Sequence, residues 1–294
     1  METTKNIRKI ETVLKPETFT WIGDAFYTTS FIGNKISRRR MDPFFAVGYN
    51  ADIHFDAREI PRGVGAHPHK GFETVTLAYK GKIEHGDSLG NHGIIGEGDV
   101  QWMTAGSGIL HKEHHEKEWS KMGGDFQMVQ MWVNLPAKDK ETEPKYQDLY
   151  FDTMTKVSLE NGGYVDVIAG EYQGQKGKGT TFSSINLFNA RLEKGSKGNF
   201  TFHKNFNTAI LVIEGSVKVN DNEILEKNTF AMFENDHGET FSLEGLSDNT
   251  IVLMMSGEPL NEPIAHYGPF VMNTQEQLAK AFEDFSSGKF GYLA

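Results

Sequence analysis

Short apolar or alternating runs fill most of the chain before residue 270, and turn-forming Gly, Asn, Asp or Pro residues separate them. Alternation with a period of two is typical of half-buried strands, and short continuous apolar runs are typical of fully buried ones. The clearest runs are FETVTLAYKG (72–81), FQMVQMWVNLP (126–136), YVDVIAG (164–170), SSINLFNARL (183–192), TAILVIEGSVKVN (208–220) and NTIVLMMSG (249–257). This spacing predicts an all-β sandwich or barrel.

Only the tail of the chain shows a helical pattern. Apolar residues recur there at helical intervals, at Leu278, Phe282 and Phe285. Asn273 or Thr274 can cap the helix, because Glu276 or Gln277 stands three residues further on. The sequence therefore predicts one short C-terminal helix whose apolar face packs in a groove.

Two of the strand runs indicate an internal duplication. FETVTLAYKGKIE in the first half and NTAILVIEGSVKVN in the second are both strand patterns that end at a glycine. Aligning Gly81 with Gly215 sets Thr201, His203 and Asn207 opposite His67, His69 and Glu73. The second half therefore keeps one candidate metal ligand, His203, where the first half has three.

The segment PAKDKETEPKYQ (136–147) separates the halves. It is charged, contains proline and lacks apolar periodicity, as expected of a domain boundary. We predict two domains, residues 1–136 and 137–294. The tail, 258–294, is expected to return toward the first domain, because its prolines prevent regular strand pairing while its apolar residues need burial.

Composition narrows the kinds of partner. The 294-residue chain is 38% hydrophobic and carries a net charge of -10, which would repel nucleic acid and an anionic membrane surface. It contains no cysteine, so His, Asp and Glu are the side chains left to bind a metal. No signal-peptide pattern or membrane-length apolar run is evident. We expect a cytoplasmic monomer that binds small molecules or proteins.

Two histidine-containing motifs suggest a metal site. His67 and His69 in GAHPHKGFE (65–73) are two residues apart, and so are His111 and Glu113 in GSGILHKEHHE. Residues two apart on a strand share a face, so each pair would project to one side. If both strands faced the inside of a barrel, three imidazoles and a carboxylate would converge on one divalent transition metal.

Glu73 and His115 are rival metal ligands close to the favoured pairs, and sequence geometry alone does not exclude either. Three large residues, Phe72, Trp102 and Met103, are candidate pocket walls, although ordinary barrel core is the favoured role for at least two of them.

Four segments, in order, carry a resemblance to a known family: HPHKGFETVT, GDVQWMTAGSGILHKE, QMWVNLP and GEPLNEPIAHYGPFVMNT. Together they resemble the pirin family, the two-domain members of the cupin superfamily. The resemblance covers nearly the whole chain. It implies two tandem cupin (jelly-roll β-barrel) domains, of which the C-terminal one has lost its metal. It further implies that the N-terminal domain holds iron through the residues of the HPH and LHxE motifs, His67, His69, His111 and Glu113. One departure is the segment FAVGYNADIHF after MDPF, which is richer in turn residues than usual and is expected to reshape the pocket mouth.

The resemblance also implies an activity. Bacterial pirins are similar to quercetin 2,3-dioxygenases, in which a metal binds the vicinal oxygens of a flavonol and dioxygen opens the central ring with release of carbon monoxide. Glu113 could then act as both ligand and base. Animal pirins look instead like metal-dependent transcriptional co-regulators. The alternative is therefore a non-catalytic, iron-dependent redox sensor or regulatory protein-binding module.

The expected cofactor is one divalent metal, Fe(II), with Mn, Ni, Co, Cu or Zn as alternatives. The substrates are a flavonol-like aromatic and dioxygen, and a protein partner is possible for the regulatory alternative.

Overall fold

The computed structural model describes residues 6–33 and 35–293. Antiparallel strands dominate it, and the described chain divides into two compact units. The N-terminal unit comprises the described residues of Thr18–Arg39, Phe44–Asp152 and Leu260–Ala294. The C-terminal unit comprises those of Met1–Glu17, Arg40–Pro43 and Thr153–Pro259.

The strands follow one another in chain order as β1 (Ile10–Leu14), β2 (Thr20–Ile22), β3 (Phe26–Ser30), β4 (Phe44–Phe55), β5 (Gly63–His69), β6 (Phe72–Lys80), β7 (Ile83–Asp87), β8 (His92–Ile95), β9 (Val100–Thr104), β10 (Ile109–His115), β11 (Gly124–Asn134), β12 (Lys145–Leu149), β13 (Thr155–Ser158), β14 (Tyr164–Ala169), β15 (Glu171–Tyr172), β16 (Gln175–Lys176), β17 (Ile185–Leu192), β18 (Lys197–Thr201), β19 (Asn207–Glu214), β20 (Ser216–Val219), β21 (Glu223–Glu226), β22 (Phe230–Phe233), β23 (Thr240–Gly245), β24 (Thr250–Gly257), β25 (Ala265–Tyr267) and β26 (Phe270–Met272).

Each unit contains a seven-stranded and a four-stranded antiparallel sheet. In the N-terminal unit the orders are β12-β9-β6-β11-β4-β3-β2 and β5-β10-β7-β8. In the C-terminal unit they are β1-β22-β19-β24-β17-β14-β13 and β18-β23-β20-β21. The orders correspond strand for strand, as a duplication predicts. Gly81 and Gly215, which follow the corresponding strands β6 and β19, have φ values of 81° and 72°, a conformation that favours glycine. The predicted fold of two jelly-roll cupins is confirmed.

The units do not coincide with the segments 1–136 and 137–294. Strand β1 pairs with β22 and therefore belongs to the C-terminal unit. Strand β12 pairs with β9 and keeps residues up to Asp152 in the N-terminal unit. The charged segment looked like a linker because β12 is a half-exposed edge strand with little apolar periodicity.

Aromatic side chains fill the interior of the C-terminal unit. Phe200 is fully buried and its ring lies 5.6 Å from that of Phe241, while Phe202 lies 6.0 Å from Phe241. His203 is exposed, and its Nδ1 accepts a hydrogen bond from the Asn205 backbone nitrogen. The alternation that buries Phe200 and Phe202 turns His203, the candidate ligand left in the second half, outward.

Two α-helices complete the described part, α1 (Lys117–Met122) and α2 (Gln275–Ser286), with short 3-10 helices at Ala137–Asp139 and Phe151–Thr153. The predicted C-terminal helix is confirmed: Thr274 caps α2 and forms a capping box with Gln277. Helix α1 was not predicted, because a six-residue helix that buries Trp119 and Ser120 has no readable period. Across the described chain, no helix has the length and apolar character needed to cross a bilayer.

Candidate metal centre

Strands β5 and β10 lie side by side in the four-stranded sheet and bring the two histidine motifs together. His67 is directly opposite His111 in this antiparallel register, and His69 is opposite Ile109. Because side chains two residues apart share a face of a strand, His69 projects to the same side as His67. The two-residue spacing within the motif had already predicted that His67 and His69 share a face.

The three imidazoles form a compact group. Their ring centroids are 4.2 Å apart for His67 and His111, 4.8 Å for His69 and His111, and 4.9 Å for His67 and His69. One nitrogen of each ring lies within 4.8 Å of one nitrogen of the other two. The group could therefore offer three nitrogen ligands to a single ion.

Hydrogen bonding around these rings fits metal ligation. Among the described residues, neither ring nitrogen of His111 has a hydrogen-bond partner, nor does Nδ1 of His69, although both side chains are buried. His67 Nδ1 lies 2.9 Å from the carbonyl oxygen of Gly65, so Nδ1 donates to that oxygen and Nε2 is the nitrogen left to bind a metal. Unpartnered buried nitrogens cost free energy, and an imidazole-binding divalent ion would remove that cost.

Burial also keeps the inner two rings uncharged. Desolvation, followed by the nearby His67, lowers the pKa of His69 to about 3. The same causes, burial first and then the neighbouring histidines, lower the pKa of His111 well below its ordinary value. Both rings are therefore neutral near pH 7, the protonation state in which imidazole binds a metal.

Glu113 lies beside the histidine group without belonging to it. It lines the same cavity as His67 and His69, and Nε2 of Gln130 donates to both of its carboxylate oxygens, at 2.8 and 3.0 Å. Burial raises the pKa of Glu113, and the hydrogen bond from Gln130 opposes that rise. An irregularity in the β5–β10 pairing between His111 and Glu113 offsets the carboxylate from the ring cluster.

Glu73 points away from the histidine cluster. Its Oε1 accepts a hydrogen bond of 2.7 Å from Thr104 Oγ1. Thr76, three residues later on β6, has its hydroxyl 3.5 Å from Glu113, so Glu73 occupies the opposite face of the strand. Burial raises the pKa of Glu73 to about 7.

His115 shares the face of β10 that carries His111, but it packs among aromatic rings. The centroids of Phe126, Phe55 and Trp119 lie 4.6, 4.7 and 4.9 Å from its own. Neither His115 nor Glu73 belongs to the three-histidine group.

An apolar cavity of about 470 Å³ lies beside the cluster. Its walls are Ile22, Phe26, Thr28, Ser30, Ala46, Gly48, Asn50, Val64, His67, His69, Glu113, Met128, Gln130, Trp132, Gly268 and Pro269. The candidate walls Phe72, Trp102 and Met103 do not line it; all three are fully buried core residues. Phe72 instead stacks on Trp132, with centroids 4.3 Å apart.

Two residues that line the cavity, Gln130 and Trp132, were not predicted from the sequence. Their only signal is a position on the inward face of β11.

The strand order, the buried histidine cluster and the adjoining cavity define a cupin with one candidate metal centre in its N-terminal unit. The pirin family model matches residues 25–133, and the model of the pirin C-terminal cupin domain matches residues 187–291. The chain belongs to the pirin family.

Relatives extend over nearly the whole chain. A Pseudomonas aeruginosa protein, whose name provisionally assigns it quercetin 2,3-dioxygenase activity, is 41% identical over 92% of this chain and 94% of its own. Rattus norvegicus pirin is 37% identical over 79% of each chain. The crystal structure of a quercetin 2,3-dioxygenase from Acinetobacter baumannii matches with a TM-score of 0.91 and 42% identity, covering 98% of this chain and 100% of that one.

Proposed function

We propose that the protein is a metal-dependent dioxygenase that cleaves flavonols such as quercetin. The observation that carries this proposal is the group of three histidines beside an apolar cavity of about 470 Å³. A cavity of this size and character suits a small aromatic ligand. The names of the Pseudomonas and Acinetobacter relatives support flavonol cleavage as the chemistry.

The ligand set that we propose is His67, His69, His111 and Glu113, holding iron(II). Imidazole and carboxylate donors also suit Mn, Ni, Co, Cu and Zn, so iron is inferred from the family resemblance rather than from the donor types. When bound, the ion supplies Lewis acidity toward a pair of substrate oxygens and reactivity toward dioxygen.

Glu113 is the proposed base for the flavonol hydroxyl proton. Burial raises its pKa, which makes the carboxylate a better proton acceptor. Gln130 holds the two carboxylate oxygens in place, and the apolar side chains Phe26, Met128 and Trp132 would flank the substrate rings and exclude water.

The test is turnover by protein loaded with iron(II) without oxygen and then mixed with quercetin and dioxygen. We expect the flavonol absorbance to disappear and carbon monoxide to be released. His111→Ala should abolish both signals, while His203→Ala, which alters an exposed histidine of the C-terminal unit, should retain them. Absence of turnover with every one of the six metals would overturn the proposal.

One observation favours a second candidate, a non-catalytic iron-dependent redox sensor or regulatory protein-binding module. Trp21 and Ile22 on strand β2 are 52% and 51% exposed, and exposed large apolar side chains are typical of protein contacts. A pull-down comparing protein loaded with iron(II) and iron(III) distinguishes the candidates. A partner that prefers one oxidation state, together with no flavonol turnover, would favour the sensor.

A further inference from the structure

One wall of the cavity belongs to the seven-stranded sheet and is lined by short side chains. Ala46, Gly48 and Asn50 alternate along β4, so all three face the cavity. Their direct partners on β11 also line it, namely Trp132, Gln130 and Met128. This wall lies across the cavity from β5 and β10, the strands that carry the histidines.

Most polar side chains of this wall already have hydrogen-bond partners. The hydroxyls of Thr28 and Ser30 donate to backbone carbonyl oxygens at 3.3 and 2.8 Å, and Gln130 donates to Glu113. Asn50 differs. It is only 2% exposed, and its Oδ1 has no hydrogen-bond partner within residues 6–33 and 35–293.

The neighbours of Asn50 fix its direction. Thr28 on β3 and Met128 on β11 lie directly opposite it on either side, and both line the cavity. Residues directly opposite each other on paired strands project from the same face, so the amide also faces the cavity. Ile22, Phe26 and Val64 also line the cavity, and these apolar side chains offer no hydrogen bond.

Asn50 lies along β4 away from the part of the cavity that His67 and His69 line. Gly48 lies opposite Gln130, the residue that holds Glu113. Asn50 is two residues further along the strand, a distance of about 7 Å. A ring bound with its chelating oxygens at the histidines would therefore place a second ring, and not the same oxygens, near this amide.

We propose that Asn50 is a specificity-determining residue whose side-chain amide hydrogen-bonds a hydroxyl group of the substrate, away from the oxygens that face the histidines. The inference rests on the proposed flavonol function and narrows it to polyhydroxylated flavonols. A buried polar group built to pair with a substrate hydroxyl is left unsatisfied by an analogue that lacks it, and this discriminates strongly against the analogue.

Binding of two flavonols to the iron(II)-loaded protein, measured without oxygen, tests the inference. Quercetin carries additional hydroxyls, whereas 3-hydroxyflavone keeps only the vicinal oxygen pair. Dissociation constants come from quenching of tryptophan fluorescence. We expect Asn50→Leu, which replaces the amide with an apolar side chain of similar shape, to weaken quercetin binding about tenfold. Its affinity for 3-hydroxyflavone should change less than about threefold.

Thr28→Val is the matched control. It removes a hydroxyl from the same wall, directly opposite Asn50, but one that already donates within the protein. The quercetin to 3-hydroxyflavone affinity ratio should stay at its wild-type value in this variant.

Thermal unfolding of the metal-free variants separates recognition from a structural role. Replacing an unpaired buried amide by an apolar group should leave the Tm unchanged or raise it, whereas a structural asparagine would show a lower Tm. If the leucine variant does not fold, the quercetin to 3-hydroxyflavone affinity ratio is measured on Asn50→Ala instead.

Failure of the inference about Asn50 can be distinguished from failure of the proposed function. If the wild-type protein binds both flavonols and the Asn50 variants keep its affinity ratio, Asn50 has no role in recognition and the inference fails alone. If the wild-type protein binds neither flavonol, the proposed function fails and the inference falls with it.

Discussion

Gln130 lies outside the histidine motifs, but it orients the carboxylate of the proposed ligand Glu113. It is held on the central strand β11 between β4 and β6, and its amide donates to both oxygens of Glu113. A carboxylate with that donor is oriented and stabilised in its charged form, which is the form that binds a metal. Loss of the donor therefore acts on the metal through Glu113.

We expect Gln130→Leu to weaken metal binding by roughly ten- to a hundredfold, the usual effect of removing a partner of a metal ligand. Competition with a chromophoric chelator measures this directly. Gln127→Leu is the control, because Gln127 lies on the same strand but donates to the hydroxyl of Tyr49. Equal metal affinities for the two variants would show that Gln130 does not act through Glu113.

The residues that could be predicted from the sequence are those whose partners lie two positions away. His67 and His69 share a face through the two-residue period of a strand, so their place in one cluster could be foreseen. Glu113 lies beside that cluster, and the irregular pairing between His111 and Glu113 could not be predicted from spacing. Asn50 and Gln130 could not be foreseen, since their importance depends on which distant strands become neighbours. The alignment of the two halves could not show that His203 faces outward, because matching two short strands does not fix which face is buried.

At the scale of elements, a buried lysine ties three parts of the N-terminal unit together. Nζ of Lys140 donates to the carbonyl oxygens of Gly71 and Val271, at 2.8 Å each, and to Oδ1 of Asn134 at 2.7 Å. Gly71 directly precedes β6, Val271 lies in β26 and Asn134 is the last residue of β11. Lys140 thereby fastens the tail hairpin β25–β26, whose connecting residues Gly268 and Pro269 line the cavity.

Replacing this lysine should destabilise the protein. Lys140→Met leaves buried acceptors without their charged donor, at a cost of roughly 2 to 4 kcal/mol, which lowers the Tm by about 5 to 10 °C. Lys138→Met is the control, because Lys138 is exposed in the same turn and should change the Tm little. A scanning calorimetry trace showing the same Tm for both variants would contradict the anchoring role.

The sequence predicted the strands themselves more accurately than it predicted which strands pair with one another. Short apolar or alternating runs revealed β6, β11, β17, β19 and β24, which are central and largely buried. The segment FAVGYNADIHF is rich in turn residues, yet together with Phe44 it forms the twelve-residue strand β4, in which Gly48 and Asn50 line the cavity. Helix α1 and the pairing of β1 depend on contacts far away in the sequence, which no local period reveals.

Over the whole molecule, the two units share one strand order but differ in what fills them. The N-terminal unit holds three histidines beside a cavity, whereas phenylalanine rings pack the interior of the C-terminal unit. Among the described residues, the one His/Cys/Asp/Glu group that could bind a metal lies in the N-terminal unit. Within the described residues, the duplicated fold thus carries one candidate metal centre.

The metal content of the purified protein tests this account most directly. Elemental analysis of protein prepared without added metal should find about one divalent transition metal per chain, the capacity of a single site, in the wild type and in His203→Ala. His67→Ala should contain far less, because it removes one of the three imidazoles. Full metal content in His67→Ala would contradict the assignment of the N-terminal cluster as the metal centre.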